Sequence, residues 1–161
     1  MIRVLFVCLG NICRSPTAEG IFRDMVQREG LSELIETDSC GTGSWHIGKP
    51  PDSRARSEAT RRGIVLEDLR GRAIDPDDFT TFDYILAMDK QNLADLQRMC
   101  PAPYLDKLHL FLKFSTEDGR IEVPDPYYGG PTGFSDVFDL VTAGAEGLLG
   151  HIRYHHPNID R

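Results

Sequence analysis

Apolar residues fall along this chain in short runs that alternate between two periods. Ile2 to Val7 is almost continuously apolar, the pattern of a strand covered on both faces. From Pro16 the period lengthens: Ala18, Ile21, Phe22, Met25 and Val26 recur at helical spacing, with Ser15 placed to cap, Pro16 suited to a first turn and Gly30 to end the helix. Ile35 to Cys40 reads as a second, more polar strand that opens into a loop dense in Gly and Pro, GTGSWHIGKPPDSR. The pattern then predicts a short helix over Ser53 to Arg62 and a third strand over Phe82 to Met88. A helix capped by Asp89 follows, carrying Leu93, Leu96 and Met99, then a short fourth strand over Leu108 to Phe111. A final helix starts near Thr132 or Gly133 and buries Phe134, Val137, Phe138, Val141, Leu148, Leu149 and Ile152. Gly144, Gly147 and Gly150 weaken it, so packing rather than propensity has to hold it.

Strands separated by helices imply an α/β fold: one doubly wound, four-stranded parallel sheet with right-handed crossovers and helices on both faces. Such sheets bind ligands beyond the carboxyl ends of their strands. Cys8 ends the first strand and Met88–Asp89 the third, so the site is expected there. The 161 residues show no repeat, low-complexity tract or linker, and 40% hydrophobic with 27% charged residues is globular composition, so residues 1–161 read as one domain. With 18 basic and 25 acidic residues the net charge is −7, which argues against nucleic acid and anionic membranes as partners. No apolar run is long enough to span a membrane, and Val4 to Leu9 is too short for a signal-peptide core. A cytoplasmic protein of monomeric size is expected, its cysteines Cys8, Cys13, Cys40 and Cys100 reduced.

The segment VCLGNICRSP, Val7 to Pro16, carries the chemistry. Gly10 and Asn11 are the residue types that most readily take left-handed backbone angles, and would let the amides of Leu9 to Ser15 (Leu9, Gly10, Asn11, Ile12, Cys13, Arg14, Ser15) turn inward as an anion-binding nest at a helix N-terminus. Arg14 adds a planar fork for two oxygens of a tetrahedral oxyanion. Cys8 sits at the floor of that positive field, which favours the thiolate, and the Ser15 hydroxyl can add a hydrogen bond to sulfur. A thiolate so placed can attack phosphorus in line while amides and Arg14 hold the equatorial oxygens, with no metal or other cofactor. A phosphate ester also needs its leaving oxygen protonated, and Asp125, stiffened between Pro124 and Pro126, offers the carboxyl. Tyr127 and Tyr128 follow it as rings suited to a flat substrate.

With these residues in place the sequence resembles the low-molecular-weight protein tyrosine phosphatases. The resemblance rests on VCLGNICRSP, on SCGTGSWHIG at Ser39 to Gly48, on FDYILAMDKQN at Phe82 to Asn92 and on DPYY at Asp125 to Tyr128, and it extends over essentially the whole chain. It implies a flavodoxin-like sheet of the phosphotyrosine phosphatase I type, phosphotyrosine-bearing protein substrates and opposition to tyrosine kinases. It further implies that Cys8 is the nucleophile, Arg14 the transition-state stabiliser and Asp125 the general acid and then base. Ser15, Asn11 and Ser39 match supporting positions, Trp45, Tyr127 and Tyr128 the cleft walls, and Cys13 a second thiol able to form a disulfide with Cys8.

The chain departs from the family in two places. Asp52-Ser53-Arg54 stands where DPR is frequent, and a histidine common before the third strand is missing from EDLRGR, Glu67 to Arg72, so Asp89 is left outside the catalytic set. Ile12 stands where phosphoarginine phosphatases carry threonine, which favours phosphotyrosine as substrate. The alternatives are a thiol-dependent arsenate reductase of the same fold, which needs further cysteines close at hand, and a non-catalytic phosphate-binding or redox-sensing module, which has no use for Asp125. His46 as a partner of Cys8 finds no flanking support, and His151, His155 and His156 read as a solvated helix end rather than a metal site.

Overall fold

The computed structural model describes residues 1–117, 119–130 and 132–160, Tyr128 and Asp160 by backbone alone. Four strands, β1 (Ile2–Cys8), β2 (Ile35–Gly41), β3 (Tyr84–Ala87) and β4 (Leu108–Leu110), form one sheet in the order β2-β1-β3-β4 with every pairing parallel. The helices are α1 (Arg14–Arg28), α2 (Ser53–Arg61), α3 (Asp78–Thr81), α4 (Lys90–Met99) and α5 (Gly133–His155). The expected α/β class and parallel sheet are therefore present.

Alternation along β1 divides the core. Val4, Phe6 and Cys8 face a cluster with Phe22 of α1 and Phe138, Val141 and Leu148 of α5, while Leu5 and Val7 face Phe79, Ile85 and Leu96 on the α3–α4 side. Phe6 meets Phe22 and Phe111 edge to face, at centroid distances of 5.8 and 5.4 Å. Burial on both faces explains why β1 reads as an unbroken apolar run. Gly144 and Gly147 of α5 lie where a Cβ would meet the Phe111 ring at 2.7 Å and the Phe114 carbonyl oxygen at 1.6 Å, so these glycines let the helix approach the segment after β4.

Several boundaries differ from the sequence reading. Helix α1 starts at Arg14 rather than Pro16, its N-cap is Cys13 with no side-chain cap bond, and Ser15 is turned to Cys8 instead of capping. Strand β3 begins at Tyr84 because Phe82 terminates α3, a short helix that the apolar pattern did not reveal. Phe111 belongs to a 3₁₀ turn after β4, and Met99 is exposed at the end of α4. The histidines at the end of α5 are more engaged than a solvated terminus: His151 packs against Tyr84 and Phe114, and His156 Nε2 lies 3.1 Å from the Tyr84 hydroxyl. Among the described residues no helix is long and apolar enough to cross a membrane, and no three His, Cys, Asp or Glu side chains converge as a metal site.

The strand order reverses between β1 and β3, whose neighbours β2 and β4 lie to opposite sides. Past their carboxyl ends a crevice opens, as connectivity in a parallel sheet requires. Cys8 and Asp89 stand on its two sides.

Candidate active site

Residues 9–13 leave β1 and turn into α1 around the Cys8 sulfur. Asn11 takes φ 57°, the left-handed conformation expected of it, and its amide donates to Cys8 Sγ at 3.3 Å. Gly10 does not share that conformation; its missing Cβ instead leaves room for the His46 ring, which a methyl group would meet at 3.1 Å. The loop is pinned from outside by continuation of the β1–β2 ladder. Thr42 and Gly43 amides donate to the Cys8 and Leu9 carbonyls, each at 2.9 Å, and the Asp52 amide donates to the Ile12 carbonyl at 2.8 Å. A Cβ on Gly41 would stand 2.7 Å from the Leu9 carbonyl oxygen, so only glycine lets β2 pass this close.

Behind the sulfur, a buried network fixes the loop. Ser15 Oγ lies 3.0 Å from Cys8 Sγ and accepts from Asn11 Nδ2 at 2.8 Å. The other Nδ2 bond runs to Ser39 Oγ at 3.0 Å, while Asn11 Oδ1 accepts from the Arg72 amide at 3.0 Å. Both faces of the Asn11 amide are thus assigned. Ser39 in turn donates to the buried Glu19 carboxylate at 2.7 Å. Ser15, Asn11 and Ser39 therefore meet behind Cys8, and Glu19, absent from the sequence reading, completes the set.

Arg14 is buried, and its guanidinium is held by two contacts: Nη1 donates to Asp89 Oδ2 at 2.6 Å and to the Val123 carbonyl at 3.1 Å. Asp89 also caps α4 by accepting from the Asn92 amide at 2.8 Å. Asp89, left outside the catalytic set, nonetheless braces Arg14 through a contact that needs no histidine. The signal lay in its place at the end of β3, next to β1. Val123 is zipped onto the same strand end, its amide donating to the Met88 carbonyl at 2.8 Å, and this fixes Asp125 two residues on. Asp125 Oδ1 accepts from the Tyr127 amide at 3.0 Å, and Oδ2 lies 3.8 Å from Arg14 Nη2. Its carboxyl is 38% exposed, open to the crevice.

Cys8, Arg14 and Asp125 line one cleft of about 430 Å³. Cys8 is only 3% exposed at its floor, whereas Trp45 (67%) and Tyr127 (44%) stand at the rim. Leu9, Ile12 and His46 complete the walls, His46 being a lining residue that sequence reasoning set aside. The Tyr128 side chain lies outside the described residues. Arg54 lies over the Tyr127 and Phe134 rings at 5.1 and 4.8 Å and pairs with Asp52, so the Asp-Ser-Arg departure still braces the cleft wall. Cys13 lines the cleft as a free thiol, pushed far up by burial, with Asp52 and Cys8 adding to the effect. The remaining thiols lie elsewhere: Cys40 is fully buried within the sheet and its thiol is pushed well up by that burial, and Cys100 ends α4.

Burial pushes the Glu19 carboxyl up to about 7; the Ser39 bond opposes this and Asp38 adds to it. A raised acid holds its proton more tightly in the folded chain than in the unfolded one. Its stabilising contribution is full below the ordinary value of 4.5 and is lost as pH rises to about 7. Glu19→Gln does not titrate. Its stability relative to the parent is expected to rise over that window by something of the order of 2 kcal/mol and then level off, as read by urea unfolding at pH 5 and pH 8.

Residues 3–157 match the family model of the low molecular weight phosphotyrosine protein phosphatases, and the chain belongs to that family. It is 42% identical over 153 residues to a low molecular weight protein-tyrosine-phosphatase of Bacillus subtilis, covering 95% of this chain and 97% of that one. The corresponding phosphatase of Schizosaccharomyces pombe is 46% identical over 152 residues, covering 94% and 97%. The crystal structure of a protein tyrosine phosphatase from Entamoeba histolytica with Hepes in the active site superposes with a TM-score of 0.91 at 40% identity, covering 98% of this chain and 99% of that one.

Proposed function

We propose that this chain is a cysteine-dependent phosphatase, residues 1–161 acting as one catalytic domain, that hydrolyses phosphotyrosine on proteins through a phosphocysteine formed on Cys8. The observation that carries this reading is the convergence in one cleft of a sulfur held by the Asn11 amide and the Ser15 hydroxyl, an anchored guanidinium and an exposed carboxyl.

In the first step Cys8 attacks as thiolate: a S–P bond forms as the P–O bond to the tyrosyl oxygen breaks, and Asp125 gives its proton to that leaving oxygen. Water then attacks phosphorus, Asp125 takes its proton, and the S–P bond breaks to release inorganic phosphate and restore the thiolate. Arg14, braced by Asp89 and Val123, stabilises the equatorial oxygens in both steps without having to reorganise. A sulfur at the floor of a cleft rimmed by Trp45 and Tyr127 suits a phosphate carried on the end of an aromatic ring. Ile12, with no hydroxyl to offer a guanidino substrate, supports phosphotyrosine over phosphoarginine. The residues assigned to each step are protein groups, so metal and cofactor are not part of this reading. A tyrosine kinase is the chemistry that must supply such a substrate, and a cytoplasmic monomer is the form in which we expect the enzyme to act.

No observation favours the arsenate-reductase alternative. Cys40 is buried within the sheet, and the ten residues of α4 separate Cys100 from the Asp89 end of that helix, about 15 Å along the axis.

Asp125→Asn tests the acid role through the leaving group. Turnover of phosphotyrosine peptide is expected to fall by about 10²- to 10³-fold, whereas formation of the phosphoenzyme from p-nitrophenyl phosphate, whose leaving oxygen needs little help, falls far less. Equal losses on both substrates in single-turnover kinetics would remove Asp125 from the role. Comparable rates of the parent on phosphotyrosine and phosphoserine peptides would remove the substrate assignment.

A further inference from the structure

The mechanism above uses nothing beyond Ser15 and Asn11 behind the sulfur, yet the hydrogen bonds continue. From Cys8 Sγ they pass to Ser15 Oγ (3.0 Å), to Asn11 Nδ2 (2.8 Å), to Ser39 Oγ (3.0 Å) and to Glu19 Oε1 (2.7 Å), every member buried. We propose that Glu19 is a positioning residue for Cys8: it is the terminal acceptor of this chain, and its carboxylate sets the direction in which the hydroxyls and the amide between them donate. The proposal rests on Cys8 being the nucleophile.

The donor count fixes the direction. The Arg72 amide occupies Asn11 Oδ1, so Nδ2 faces both serines and gives one proton to each. Each serine oxygen, having accepted, must send its own proton elsewhere. For Ser39 that acceptor is Glu19, and for Ser15 it is the sulfur at 3.0 Å, the Cys40 carbonyl at 3.4 Å being the longer choice. A neutral Glu19 that donated to Ser39 would leave the Ser39 proton without the acceptor it has here and would loosen Asn11, whose amide also holds Sγ. An ionised Glu19 accepts only, and a charge-assisted bond is roughly twice as strong as a neutral one.

Glu19 is poised to change state near neutral pH. Its carboxyl is raised to about 7 by burial, with Ser39 opposing, Asp38 of β2 raising it, Arg23 on its own helix lowering it, and Asp68 of the segment before β3 raising it slightly. Arg23 is drawn off by a two-pronged pair with Asp68, and Arg72 by Asp38 and Asp78, so no cation touches Glu19 directly among the described contacts. Ionising it costs stability and orders the sulfur, which is the relation found where a buried group is kept for function.

Two measurements on the full chain test this. In the first, kcat/KM on an aryl phosphate is compared for the parent and Glu19→Gln from pH 5.5 to pH 8. The two are expected to agree at pH 5.5, where both offer a neutral acceptor, and to part by about fivefold in favour of the parent at pH 8. In the second, NMR follows the Glu19 carboxyl and the Asn11 side-chain amide, which needs no turnover. Both are expected to titrate with one midpoint near 7 in the parent; in Ser39→Ala, Glu19 still titrates and Asn11 no longer follows. A ratio flat across pH, or an Asn11 amide unmoved while Glu19 titrates, overturns the proposal. A parent without any turnover would instead remove the phosphatase reading on which it rests.

Discussion

Cys8→Ser is expected to lose turnover of phosphotyrosine peptide by at least about 10⁴-fold while still binding phosphate. The hydroxyl occupies nearly the same position, and Arg14 remains in the cleft to hold the oxyanion. A serine at the same floor lacks an adjacent base: among the described side-chain contacts of Cys8 there is no histidine or carboxylate, only the Asn11 amide and the Ser15 hydroxyl. Loss of kcat with phosphate affinity kept within a few-fold, measured by calorimetry beside the assay, is the expected pairing. Residual turnover within tenfold of the parent would mean that sulfur does not take the phosphoryl group.

Arg14→Lys is expected to cost about 10²- to 10³-fold in kcat, with a smaller effect on substrate binding. Charge is kept, so electrostatics alone predicts little. Geometry predicts more: Nη1 is committed to Asp89 and the Val123 carbonyl, which leaves Nη2, on the Asp125 side, to serve the transferring group. A lysine ammonium is a point charge and cannot be anchored on one prong while presenting another. Asp89→Asn should reproduce part of the loss by freeing the guanidinium. If Arg14→Lys keeps kcat and raises KM alone, Arg14 binds the ground state and does not stabilise the transition state.

The sheet was legible because burial on both faces of β1 leaves an apolar run, and because Cys8 and Asp89 end strands that a parallel order brings side by side. The loop was legible because Asn11 and Arg14 have backbone or side-chain properties that few other residues supply, whereas Gly10 serves through its missing Cβ and not through the left-handed angle expected of it. The contacts that brace it were not. Nothing local to Asp89 says that its second oxygen reaches Arg14, seventy-five positions away, while its first caps α4. Glu19 sits on a helix face where a carboxylate ordinarily meets water, and only the packing of β2 against α1 turns it inward to Ser39. Ser15 has two possible uses, as a cap or as a partner of sulfur, and the choice depends on where α1 begins, which the loop rather than the helix sequence decides. Tertiary geometry settled each of these.

The central claim is that the phosphoryl group passes to Cys8. The most direct measurement is acid-quenched mass spectrometry of Asp125→Asn during turnover of p-nitrophenyl phosphate. Leaving-group departure is then easy and hydrolysis lacks its base, so the account predicts that the peptide carrying Cys8 gains one phosphoryl group, with the modification on sulfur. Turnover with an unmodified Cys8 peptide at every quench time, or a phosphoryl group on another residue, would contradict it.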